Sequence, residues 1–185
     1  MITTLIIIAI IVLILILMYN SLVGKKNQVE NIFASIDVQL KKRYDLIPNL
    51  VATVQEYMEH ERTVLEDVTS LRTKAIKHNL PQNDIIDLDN KMTQALGSLM
   101  IAVESYPELK ANENVLQLQS SLNEVEEQIQ ASRRAYNQAV TDYNNAIEMI
   151  PTNFMAKAMN YTRKDVFIIN EKQRENIKVK ELFNN

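Results

Sequence analysis

Ile36-Asp37-Val38-Gln39-Leu40-Lys41-Lys42-Arg43-Tyr44-Asp45-Leu46-Ile47-Pro48-Asn49-Leu50-Val51 is the stretch on which the fold turns. Leu40, Tyr44, Ile47, Val51, Val54 and Met58 recur at the three- and four-residue spacing of one helix face. That stripe keeps its phase across Pro48, which has no N–H to donate and whose ring clashes with the carbonyl four residues back, here Tyr44. Were Pro48 the first residue of a new helix, Ile47 would be its cap, and isoleucine caps poorly. The stretch therefore reads as one kinked helix.

Toward the N-terminus the chain changes character. Leu5 to Met18 is unbroken apolar sequence, extended by Ile2 to Val23 with only Thr3, Thr4, Asn20 and Ser21 as polar interruptions. About 20 such residues cross a ~30 Å hydrocarbon core. A cleaved signal peptide needs a basic start and a small-residue cleavage site, and neither is present. Residues 1–23 thus read as a transmembrane anchor with Tyr19 at its interface, and 24–185 as a separate helical domain. Lysine and arginine are absent before the span and follow it as Lys25, Lys26, Lys41, Lys42 and Arg43, which predicts an external N-terminus and a cytoplasmic domain.

Toward the C-terminus the periodicity continues through Leu65, Val68, Leu71 and Ile76, so one helix is expected from Lys25 to about Asn79. Such a helix runs roughly 80 Å and is expected to stand out from the bilayer before packing begins. Pro81 closes it, with Asn83 or Asp84 as the next cap. A second helix, about Asp84 to Glu104, carries Ile85, Leu88, Met92, Ala95, Leu99 and Ala102, and Pro107-Glu108 suits the first turn of a third. That third helix holds a heptad from Val115 through Leu118, Leu122, Val125, Ile129, Ser132, Tyr136, Ala139, Tyr143 and Ala146 to Ile150, with Tyr136 and Tyr143 predicted inside. A short fourth helix is expected at Asn153 to Asn160. From about 162 follows a docked, irregular tail, with Val166 to Ile169 apolar and Val179, Leu182 and Phe183 as isolated anchors. The fold class is all-α: an antiparallel four-helix bundle, three helices long and one short, on a single N-terminal transmembrane helix.

Composition narrows the chemistry. The formal charge of −3 over 185 residues carries no basic footprint for nucleic acid. The lack of cysteine removes disulfides, thiolate nucleophiles and soft metal sites together. With two glycines and four prolines there is little material for turns, as suits helices.

The opening stretch also carries a family resemblance. Asp45-Leu46-Ile47-Pro48-Asn49-Leu50-Val51, preceded by Ile36-Asp37-Val38-Gln39-Leu40 and followed by His60-Glu61, resembles the signature of the LemA family of bacterial membrane proteins. Glu104 to Asn112, Ala131 to Asn137 and Tyr143-Asn144 match as well. The resemblance runs from the start of the chain to about Pro151 and only loosely covers the tail after Phe154. It implies a four-helix bundle in a bacterial membrane, and a functional neighbour in a membrane-bound zinc metalloprotease of the HtpX type. It transfers no settled biochemical activity.

Catalysis finds little support in the residues. Glu56-Tyr57-Met58-Glu59-His60-Glu61 has the only metal-like density, with Glu56 and His60 on one helix face. A di-iron bundle needs a Glu-x-x-His pair on each of two helices, and a zinc-protease helix needs a second histidine; His78 supplies neither. No metal, cofactor or enzymatic activity is therefore expected. The polar set of the opening stretch is the candidate interaction and kink region: Asp37, Arg43, Asp45, Pro48 and Asn49. Asp37 and Asp45 each lie four residues from Lys41, and the group is expected to bridge to Tyr136, Asn137 and Asn144 on the third helix. These features suggest a non-enzymatic, membrane-anchored scaffold or adaptor that engages the bilayer, membrane-protein partners and other copies of itself. The alternative is a membrane-tethered sensor binding a small ligand in the bundle core.

Overall fold

The computed structural model describes residues 1–58, 60–77 and 80–167. Every regular element among them is helical: α1 (Ile2–Val54), α2 (Arg62–Ala75), α3 (Gln82–Glu104), α4 (Pro107–Lys110), α5 (Glu113–Glu148) and α6 (Thr152–Ala158). The expectations placed on Glu59, His78, Ile168, Ile169, Val179, Leu182 and Phe183 lie outside the described residues.

Helix α1 is unbroken over 53 residues, with Pro48 inside it as the phase of the apolar stripe predicts. At 1.5 Å per residue it is about 80 Å long. Its first part, from Ile2 to Leu17, is exposed on all sides and packs against nothing in the chain. Its second part buries Leu22, Val29, Ile36, Leu40, Tyr44, Ile47, Leu50 and Val54, so most of the expected stripe is inside, with Val51 only half-buried and Leu50 in its place.

Two expectations about this helix are corrected. It does not continue to Asn79: α1 stops at Val54, and the chain reverses through Gln55–Glu61 before α2. The N–H groups of Tyr57 and Met58 both reach the carbonyl of Val54, and the Met58 side chain plugs the core at the reversal. A single rod would have left Leu65 and Val68 beyond the reach of any partner; folded back, both are buried. Nor does a bare stalk separate the apolar segment from the packed helices, because Leu22 is already 0% exposed.

Helix α1 lies antiparallel along α5, with Phe33 and Tyr136 ring centroids 5.7 Å apart. Helix α2 lies antiparallel along α3, where the Tyr106 hydroxyl after α3 donates to Glu61 before α2. The hydrogen bond to this carboxylate raises the Tyr106 pKa. Pro107 opens a helix as expected, but only the single turn of α4. Asn112 then caps α5, its Oδ1 accepting from Asn114 N–H at 2.9 Å and Val115 N–H at 3.3 Å. At α3 neither Asn83 nor Asp84 caps, since Pro81 takes that position without a side-chain bond. The heptad of α5 is buried at Val115, Leu122, Val125, Ile129, Tyr136, Ala139 and Tyr143. Ile150 falls past the helix end and is exposed.

Candidate functional site

The proline inside α1 comes first. Pro48 cannot donate to the Tyr44 carbonyl, and the donor that does reach it is Arg72 on α2, through Nε at 2.8 Å. The reversal at Gln55–Glu61 is what brings α2 alongside. Asn49 does not take part. It is exposed, and its carbonyl accepts from the Thr53 hydroxyl at 2.7 Å.

One turn earlier, Arg43 points inward and is 1% exposed. Its guanidinium bonds the Asp89 carboxylate, the Thr93 hydroxyl at 3.0 Å and Glu126 at 2.8 Å. Asp89, 0% exposed, also accepts from Arg133. Two cations and two anions from α1, α3 and α5 thus meet inside the protein. Burial pushes the Arg133 pKa down to about 10, with the Arg43 charge as the second cause. The Asp89 carboxylate bridges the two guanidiniums, accepting from each. Nε of each arginine has no protein partner among the described residues. Burial also raises the Tyr44 pKa, against the opposing pull of Arg43 beside it.

Tyr136, Asn137, Tyr143 and Asn144 form a second constellation, and it does not meet the first as expected. It grips the chain after α6 instead. The Asn144 amide accepts from the Lys164 N–H at 3.0 Å and donates to its carbonyl at 2.9 Å. Asn137 does the same to Phe167, at 2.8 Å and 2.9 Å. The hydroxyls of Tyr143 and Tyr136 donate to the carbonyls of Thr162 (3.1 Å) and Asp165 (3.2 Å). The two Tyr-Asn pairs are a heptad apart, a rise of about 10 Å along a helix. Three extended residues span about the same length, so each pair meets the strap at the same phase. Residues 161–167 are therefore docked but irregular, as the sequence suggests for the tail. Burial raises the pKa of both tyrosines, that of Tyr136 to about 12.

Asp37 and Asp45 remain outside both constellations. They are exposed on the rim of a cleft of about 810 Å³ between α1, the end of α2, the start of α3 and Lys164. Phe33, Leu40, Tyr44, Ile85 and Leu88 supply its apolar surface. Lys41 bonds Asp45 at 3.2 Å; of the two partners expected for it, only this one is engaged. Glu56 and His60 share no helix face, because α1 ends before them; both are exposed in the reversal.

Asp89, Arg133, Glu126 and Arg72 escaped the sequence reading, although three positions carried a signal. Arg43 lies between Leu40 and Ile47, Asp89 between Ile85 and Met92, and Arg133 between Ile129 and Tyr136. Each fills an apolar-stripe position with a charge. Three stripes interrupted by charges of complementary sign predict that the charges meet.

With this geometry in hand, comparison with known proteins adds the relatives. The chain is 26% identical over 165 residues to Protein LemA of Metamycoplasma hominis, covering 89% of this chain and 75% of that protein. It is 24% identical over 178 residues to the magnetosome proteins MamQ 1 and MamQ 2 of Paramagnetospirillum magneticum, and spans 65% of their length. The LemA family model matches residues 32–180, so the match extends through the strap and well beyond Pro151. Together with the exposed apolar start of α1, these relatives make this a membrane-associated protein. The chain belongs to the LemA family.

Proposed function

We propose that this protein is a non-enzymatic, membrane-anchored adaptor. Residues 1–23 cross the bilayer once, and α1, α2, α3 and α5 act as a four-helix bundle. The observation that carries the reading is the cleft beside Asp37 and Asp45: a charged rim around an apolar floor, the make-up of a protein–protein contact surface. It lies on α1, the helix that itself enters the membrane, so a captured partner is held at a fixed distance from the bilayer. The buried charges neutralise one another, which supports a structural role for that cluster. The charge asymmetry around the span supports a cytoplasmic bundle with its N-terminus outside. A reporter fused after Asn185 that is active only outside the cytoplasm should then stay silent. The partner is a membrane protein, for which the family resemblance favours an HtpX-type metalloprotease, and copies of the chain itself are the second candidate.

A photo-crosslinking residue placed at Ala34, on the cleft, tests this in native membranes. A discrete adduct is expected from Ala34 and not from Leu116, which is exposed near the start of α5. The same adducts from both sites, or none from Ala34, would count against a cleft-bound partner.

The ligand-sensor alternative draws on one observation of its own. A cavity of about 290 Å³ adjoins the charge cluster and is bounded by Arg43, Thr93, Gly97, Met100, Leu122 and Glu126. A Cβ at Gly97 meets nothing within 4 Å, so Gly97→Leu can fill that space. Native mass spectrometry showing a small molecule that this substitution displaces would favour the sensor over the adaptor.

A further inference from the structure

Among the described residues, the exposed large apolar side chains fall into two groups near one level of the molecule, apart from scattered single residues. One is the apolar start of α1. The other is Met149, Ile150 and Phe154, at the α5–α6 corner, which are 64%, 78% and 67% exposed. Their level follows from the register of α1 against α5. Phe33 packs on Tyr136, and ten residues further along α1 Arg43 meets Glu126, ten residues back along α5. Continued the other way, this register sets Ile147 opposite Leu22, both buried, and Ile150 opposite Tyr19. Tyr19 ends the apolar segment, where an interfacial aromatic belongs.

We infer that the α5–α6 corner is a second membrane contact, in which Met149, Ile150 and Phe154 enter the headgroup–acyl boundary beside the span. Elements that lie in this boundary sink about 5–10 Å below the surface, a depth side chains of this size can reach. Three large apolar groups held in water beside a bilayer are a cost that such contact removes. Helix α6 is fixed for the purpose: Ala156 is buried, and Met155 and Met159 pack on the core, so the opposite side with Phe154 is left outward. Lys25 and exposed Lys157 add positive charge near the corner, which favours anionic headgroups, while Lys26 pairs with Glu30 at 3.7 Å. The corner rests on the reading of Ile2–Val23 as the anchor and adds to it a fixed tilt for the helical body.

The chain has no tryptophan, so a single introduced one reports its own surroundings. Phe154→Trp, Leu13→Trp and Ile101→Trp are made in the full chain and reconstituted into vesicles of phosphatidylcholine and phosphatidylglycerol. A parallel set of vesicles carries bromine on the acyl chains as a contact quencher. Quenching is expected at Leu13→Trp and at Phe154→Trp, with a blue-shifted emission at the latter. Ile101→Trp, exposed at the end of α3, should be unaffected. Quenching at Leu13→Trp alone overturns the corner contact and leaves the anchor standing, whereas quenching at neither overturns both. A blue shift at Phe154→Trp without quenching means that protein covers the corner, and also overturns the contact.

Discussion

Arg72 donates its Nε–H to the carbonyl of Tyr44 at 2.8 Å, across 28 positions of sequence. That carbonyl is the one Pro48 leaves without its helical donor, so the proline on α1 and the arginine on α2 are two halves of one local solution. A proline that removes a backbone hydrogen bond is here answered by a charged donor, and charged hydrogen bonds are the stronger kind.

Arg72→Ala should therefore lower stability by about 1–3 kcal/mol, the cost of stranding a carbonyl that is shielded from water. In a Pro48→Ala background the new N–H serves Tyr44, and the same change should cost clearly less. Thermal melts of the four proteins in mild detergent give the coupling. Equal costs in both backgrounds would show that Arg72 acts elsewhere.

Asp89 is the hinge of the buried charges. Asp89→Ala leaves Arg43 and Arg133 facing each other, and breaking such a pair costs about 3–5 kcal/mol. Arg43→Ala leaves Asp89 still held by Arg133, and should cost less. Melting should thus rank wild type above Arg43→Ala and Arg43→Ala above Asp89→Ala. The reverse order would contradict the shared-carboxylate geometry.

The Tyr-Asn pairs predict how the strap is released. Asn144→Ala removes both bonds to Lys164, and tryptic cleavage at Arg163 and Lys164 should accelerate while α3 and α5 stay resistant. Tyr143→Ala should cost about 3–5 kcal/mol, as for large aromatic groups deleted from cores. A loss below ~1 kcal/mol would mean that the ring is not part of the core.

Tyr136 sets an alkaline limit. Burial first, and the Asp165 charge second, push its pKa up to about 12, against about 10 in an unfolded chain. A raised folded value means that its contribution is complete below pH 10 and is lost as pH climbs through 12, in total about 2–3 kcal/mol. Tyr136→Phe should shallow the fall in stability over that window, while Tyr44 and Tyr143, also raised, still contribute in both proteins. An unchanged fall would assign the effect to those two.

The helices were legible in the sequence because apolar spacing survives any tertiary arrangement. Pro48 inside α1, the inward tyrosines of α5 and the short helix after Pro151 all followed from it. The reversal at Gln55–Glu61 was not legible. It holds no proline or glycine, and the stripe resumes in phase at Leu65, so only the need to bury α2 reveals it. Tyr136, Asn137 and Asn144 were expected to meet the polar set of α1, whereas their hydrogen-bond partner is the chain's own backbone at 164–167. Side-chain spacing on α5 carries no record of an irregular strap. Arg72 was missed for a similar reason: its target is a main-chain oxygen, which no residue type announces.

The adaptor account is tested most directly by the size of native membrane complexes formed by the full-length chain carrying Asp37→Arg and Asp45→Arg together. Both side chains are exposed on the cleft rim, and neither takes part in the buried cluster, so melting should stay close to wild type. The account predicts that complexes seen with wild type in native gels of gently solubilised membranes collapse to the size of the protein alone. Complexes of unchanged size from a variant that melts normally would contradict it.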